Sequence, residues 1–233
     1  MWGDMRITGK KLEQVVYGYW ARRFGINYDD INRLGTSIIE EEDLINTGKV
    51  IIYTIDKRVV VRIDPSLVKE LSISEKHYKN SLLDTAELSN LLNKNGYKVK
   101  EKSTLLDCYL DPKDFVEFKP EDKFIARELN IDDDKAYMDS FFGVCSEEDL
   151  DKADIFLDNL DPVNFGIFHE SQLVAYASSR YWENTIADIG VLIHPKYRGK
   201  GLGKAVVSKL CNWCIENQVV PMYRVFDYHI YSL

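Results

Sequence analysis

The residues best suited to chemistry stand close together late in the sequence, at Arg198-Gly199-Lys200-Gly201-Leu202-Gly203. Three glycines alternating over five residues allow a backbone to approach a ligand closely and to turn several N–H groups toward it. A helix starting within the same stretch adds the positive end of its dipole, so the whole makes a cup for phosphate. Lys196, Arg198, Lys200 and Lys204 supply charge around it. A P-loop does not fit, because Ala205 follows Gly203-Lys204 where Ser or Thr is needed, and Arg198 stands where the first glycine belongs. A dinucleotide fingerprint does not fit either: the third glycine comes one residue early, and no repeating strand-helix pattern precedes it. Against the phosphate cup stands only a glycine-rich turn with a solvated basic face.

Two carboxylates lie shortly before the loop. Asp188 interrupts an otherwise apolar run, where a charge is costly unless partnered, so it is either a site residue or salt-bridged. Glu183 sits in Trp182-Glu183-Asn184, a turn signal, where a solvated carboxylate is the simpler reading. Tyr181 and Trp182 beside it could line an amine pocket. Cys211-Asn212-Trp213-Cys214 has the spacing of a redox pair, but it falls inside a helix, away from the N-terminus that would activate a thiol, and reads as core. His77, His169, His194 and His229 have no metal-ligand rhythm, and no metal is expected. The acidic runs at 40–43 and 132–134 read as solvated loops or helix starts, with a cation-attracting rim as the sharper alternative.

These residues need elements to position them. Residues 186–193 read as a strand, Pro195 ends it, and Leu202, Val206, Leu210 and Trp213 or Cys214 recur as the buried stripe of a helix over 202–217. The loop thus joins a strand to a helix. Strands are expected at 124–129, 165–169, 172–182 and 219–225, with a helical region over 133–160. Upstream, a helix containing Leu12, Val15, Val16, Tyr19 and Trp20 stops at Gly25, and strands 49–55 and 58–63 form a hairpin about Asp56-Lys57. A second helix runs from 81 to 95, and 97–110 reads as one or two strands. Proline-bearing polar breaks at 111–114 and 119–122 suggest two domains, 1–118 and 119–233.

The chain has 233 residues, 45% hydrophobic and 29% charged, the balance of a folded globular protein. A formal charge of −8 argues against general nucleic-acid binding. Its apolar runs fall far short of the ~20 residues a membrane span needs, and the N-terminus lacks a basic segment followed by an apolar one. With four cysteines, too few for a disulfide scaffold, a cytoplasmic location is expected.

Ile193-x-Pro195-x-Tyr197-Arg198-Gly199-Lys200-Gly201-Leu202-Gly203 resembles the acetyl-coenzyme A signature of the GNAT superfamily of N-acetyltransferases, Arg/Gln-x-x-Gly-x-Gly/Ala, and the resemblance extends over about 122–233. It implies a mixed, mostly antiparallel sheet flanked by helices, joined here to a smaller α+β N-terminal domain whose role is set by analogy alone. It also implies that the amides of Arg198, Gly199, Lys200, Gly201, Leu202, Gly203 and Lys204 hold the pyrophosphate of acetyl-CoA. Val191, Leu192 and Ile193 would pair with the pantetheine arm, and the strand at 219–225 would splay away to admit the thioester. The acceptor would be a primary amine of a small molecule or peptide, attacked onto the acyl group directly, with Asp188 or Glu183 as base.

The family usually continues past its fifth strand with a turn, a helix bearing a proton-donating tyrosine, and two more strands, whereas this sequence ends at Leu233. Tyr228 or Tyr231 would then substitute as acid, another chain would complete the sheet through an exposed edge as a homo-oligomer, or the protein would be a weak or inactive coenzyme A-binding module.

Overall fold

The computed structural model describes residues 7–100, 103–157 and 159–226. The chain divides into two compact units: Glu13–Ser103, and Met1–Leu12 together with Thr104–Leu233. The fold is mixed α+β, and most strand pairs are antiparallel.

The first unit has α1 (Lys10–Phe24), which begins just before it, then α2 (Tyr28–Ile31), β1 (Gly35–Glu40), β2 (Val50–Ile55), β3 (Arg58–Ile63), α3 (Pro65–Leu71), α4 (Glu75–Tyr78) and α5 (Thr85–Lys94). Gly25 follows α1 with φ 63°, and Asp56 turns the β2–β3 hairpin with φ 48°, as the sequence led us to expect. The strand β1 carries no such signal: its buried positions include Thr36 and Ser37, and it lies parallel to β3 to make a three-stranded sheet in the order β1-β3-β2. Val59, Val61 and Ile63 pack there with Leu67, Leu71 and Leu88.

The second unit contains β4 (Leu105–Tyr109), β5 (Phe124–Leu129), α6 (Lys135–Phe142), α7 (Glu147–Lys152), β6 (Val163–His169), β7 (Gln172–Trp182), β8 (Ile186–Ile193), α8 (Leu202–Glu216) and β9 (Val220–Phe226). Its six-stranded sheet runs β4-β9-β8-β7-β6-β5. Alternate residues of β8 serve opposite faces, as a strand's period of two requires. Ala187 and Ile189, with Val191 and Ile193, pack toward Leu202, Ala205, Val206 and Leu210 of α8. Leu192 joins Met138, Phe141 and Tyr176 in a second core on the other face.

Two differences from expectation concern β4. The boundary expected near residue 118 falls at 103/104, because β4 pairs antiparallel with β9 from Leu105↔Phe226 to Tyr109↔Met222. The same pairing covers the sheet edge that the sequence left open to a partner chain. Backbone groups along β9 need acceptors and donors, and a strand from upstream of the glycine-loop segment provides them. Tyr228 and Tyr231 lie outside the described residues, as does the turn expected around them.

Candidate acyl-transfer site

The site is built on a strand pair that parts. β8 and β9 run parallel through Ile186↔Val220, Ala187↔Pro221 and Asp188↔Met222, and there their pairing ends. β7 stays with β8 along its whole length, from Trp182↔Ile186 to Ala175↔Ile193. The Val220 N–H donates to the Thr185 carbonyl at 2.9 Å, which fixes the odd-numbered residues of β8 as those whose backbone polar groups face β9. Beyond the split, the amides of Val191 and Ile193 therefore point into the gap. Leu192, named with them in the sequence, is turned toward β7 and lends its side chain to the core.

The gap leads to the glycine loop. A short 3-10 turn, Pro195–Tyr197, follows β8, capped by the His194 ring, whose Nδ1 accepts from the Lys196 N–H at 3.2 Å. Gly199 and Gly201 then adopt φ of 77° and 74°, backbone that favours glycine, and α8 starts at Leu202. The first amides of α8, on Leu202, Gly203 and Lys204, have no acceptor within the helix by geometry and present the positive end of its dipole to the loop. A Cβ on Gly201 would stand 3.4 Å from the Phe118 ring and one on Gly203 3.7 Å from Ile193, both ordinary contacts, so at Gly201 it is the positive φ that calls for glycine.

The basic side chains are less uniform than the sequence implied. Arg198 forms an ion pair with Asp149 of α7 at 2.9 Å, and hydrogen bonds from Ser146 and Arg198 hold that carboxyl below its ordinary range. Its charge fastens α7, while its backbone belongs to the loop. Lys200 lies over the Tyr197 ring at 4.8 Å, and Lys204 is exposed on the first turn of α8.

Asp188 occupies the last paired register before the split, on the sheet face opposite α8. Burial pushes its carboxyl up to about 6; Arg224 and Arg180 oppose that, while Asp154 and Asp107 add to it. Arg224 reaches its Oδ2 at 3.3 Å and is at the same time 3.2 Å from Asp107. Of the two readings left open by the sequence, the structure shows the ion pair, and burial still leaves the carboxyl raised. Asp134 is the control. Arg127 gives it two hydrogen bonds of 2.7 and 2.6 Å, and its carboxyl is held below the usual range, chiefly by those bonds. At Asp134 the hydrogen bonds from Arg127 outweigh burial; at Asp188 burial outweighs the opposing arginines.

A cavity of about 10 Å³, near the size that admits one water, is lined by Asp188, Gly190, Asp154, Asp161 and Arg180. Gly190 is required there, because a Cβ would stand 2.4 Å from the Ala153 carbonyl oxygen. Glu183 is elsewhere: with Asn184 it forms the exposed β7–β8 turn at φ 48° and 57°, whereas Asp188 lies down the strand opposite Arg180. Cys211 and Cys214 are buried under the sheet, and burial pushes the Cys211 thiol up to about 12. Among the described residues, no group of three or more His, Cys, Asp or Glu could hold a metal ion, and no helix is long and apolar enough to cross a membrane.

Residues 159–227 match the model of a family described as GNAT acetyltransferase. The matched segment holds β6 through β9, with the split strands and the loop between them. No curated protein matches the chain. Among solved structures, it is similar to a GCN5-related N-acetyltransferase from Kribbella flavida, with 15% identity over 59% of this chain and 53% of that one and a TM-score of 0.41. It is also similar to a putative GNAT-family acetyltransferase from Novosphingobium aromaticivorans (19% identity, 56% and 55% covered, TM-score 0.40). A GNAT-family acetyltransferase from Colwellia psychrerythraea aligns with 15% identity over 74% and 68% at a TM-score of 0.46. The chain spans about half the length of the first two.

Proposed function

We propose that the protein is an acetyl-CoA-dependent N-acetyltransferase that passes an acetyl group directly to a primary amine of a small molecule or peptide. The observation that carries this reading is the parting of β8 from β9 after Asp188↔Met222, which leaves a row of strand amides running from a helix-capping glycine loop to a carboxyl group. The residues fit the cofactor. Amides from Arg198 to Lys204 would hold its pyrophosphate, and the backbone of Val191 and Ile193 would pair with its pantetheine arm.

Bound acetyl-CoA supplies a thioester carbonyl for a neutral amine to attack. Asp188, ionised at neutral pH and raised toward it, accepts the proton the amine gives up, directly or across the small neighbouring cavity. An N–H of β8 facing the gap, that of Val191 foremost, would polarise the carbonyl. Trp182, near the end of β7 on the Asp188 face, would be an apolar wall for the amine, whereas Tyr181 packs on the α8 face; Tyr228 and Tyr231 are the candidates for protonating the leaving thiolate. Four unpaired cysteines fit a cytoplasmic protein.

The test pairs calorimetry with acetyl-CoA and a thiol-release assay across an amine panel. Binding and turnover are expected. Binding without turnover on any amine would reduce the protein to a coenzyme A-binding module, and absence of binding would overturn the loop assignment.

A further inference from the structure

Resting on the reading of Asp188 as the proton acceptor, we infer that Asp107 and Arg224 are positioning residues that set its proton affinity, through a carboxylate-guanidinium-carboxylate bridge drawn from β4, β9 and β8. Asp107 and Arg224 are direct cross-strand partners, with Nε of Arg224 3.2 Å from Oδ1 of Asp107. The other arm of the same guanidinium reaches Oδ2 of Asp188 at 3.3 Å. Its plane lies over the Trp182 ring at 4.8 Å, which holds it between the two acids.

The bridge extends into an alternating row. Arg180 is the cross-strand partner of Asp188 on β7, and it bonds Asp154 at 2.8 Å and reaches Asp161 at 3.4 Å. Facing Asp188 are therefore Arg224 from β9, Asp107 from β4, Arg180 from β7, and Asp154 and Asp161 from the segment after α7. Each arginine answers to more than one acid. Asp188 is left with partial compensation, and burial raises the proton affinity of Asp107 as well.

Asp107 bears on Asp188 by two routes: as a negative neighbour, and as a competitor for Arg224. Both raise the proton affinity of Asp188. Arg224 lowers it. Removing one or the other must therefore move the titration of Asp188 in opposite directions, which a merely structural bridge need not do.

The experiment follows the carboxyl titration of Asp188 by ¹³C NMR in the full chain, without cofactor or amine, in the parent protein and in Asp107→Asn and Arg224→Gln. The parent midpoint is expected near 6. Asp107→Asn should lower it, and Arg224→Gln raise it, each by ~1 pH unit, a tenfold change in proton affinity. Equal or same-direction midpoints would overturn the bridge. If Arg224→Gln fails to fold by circular dichroism, Arg224→Lys replaces it: a single compact charge cannot serve both acids equally, so its midpoint should differ from the parent, and an unchanged one would overturn the proposal. The acid limb of thiol release should move with the NMR midpoints. Opposite NMR shifts without turnover on any amine would keep the bridge and overturn the transferase reading, whereas turnover with unmoved midpoints would do the reverse.

Discussion

Both units contain a parallel strand pair, and the two pairs end differently. β1 stays with β3 from Gly35↔Arg58 to Glu40↔Ile63, while β2 occupies the other side of β3 over the same residues. β8 and β9 part after three registers. Past the parting β9 keeps β4 on its other side, with Met222 opposite Tyr109 and the pairing running on to Phe226. Among the described residues both strands then carry backbone groups that face the gap and that no strand of the sheet takes, and it is the row on β8 that leads to the start of α8. A central strand that uses every polar group internally can only support a fold; one that leaves a row unused at a helix N-terminus can bind.

Breaking the comparison at its hinge should have the largest effect. Asp188→Asn keeps the shape of the last paired residue and removes the base, so kcat should fall by about 10²–10⁴-fold with acetyl-CoA affinity nearly unchanged; turnover within a few-fold of the parent would remove Asp188 from the chemistry. Proline probes the two pairs directly. Val61→Pro removes an N–H inside a fully paired strand and should cost about 3 kcal/mol or more in chemical unfolding. Val191→Pro removes one that faces the gap, and should weaken acetyl-CoA binding with a much smaller loss of stability. If both variants unfold alike, the difference between the pairs is not functional.

Gly201→Glu places a side chain and a charge at φ 74°, and should weaken acetyl-CoA binding ~100-fold, about 2.7 kcal/mol. The pH dependence is gentler. Because the carboxyl of Asp188 is raised, its base form is half present at about 6 and is lost as pH falls below that value, so kcat should level off toward higher pH and decline about tenfold per unit well below it. The smallest change belongs to Glu183→Gln at the exposed turn, where kcat should alter by less than about twofold.

Local signals account for what was legible in the sequence. The glycine loop, the strand before it and the helix after it are each specified by neighbouring residues, and the parting of β9 came with the family resemblance. β1 was hidden because Thr36 and Ser37 are buried polar residues in a short strand, without apolar alternation to betray them. The position of β4 was hidden for another reason: its pairing partner lies more than a hundred residues away, and no local pattern encodes that. With β4 misplaced, Asp107 could not be read as a neighbour of Asp188, and nothing pointed to Arg224 as the link between them. Glu183 attracted notice because a carboxylate near a binding loop is easy to see, while the direction of a turn is not.

The pairing of β4 with β9 also orders events in time. Asp107 and Arg224 are separated by 117 positions, and closing such a loop costs about 3 kcal/mol more in chain entropy than closing a hairpin turn, until the intervening strands have formed and shortened it. The meander from β6 to β8 has no such barrier, since short turns join its strands. The last charges to arrive are then those that tune Asp188, and proton transfer becomes a readout of the final step of folding: a chain can hold its glycine loop in place while its base still titrates like an ordinary acid.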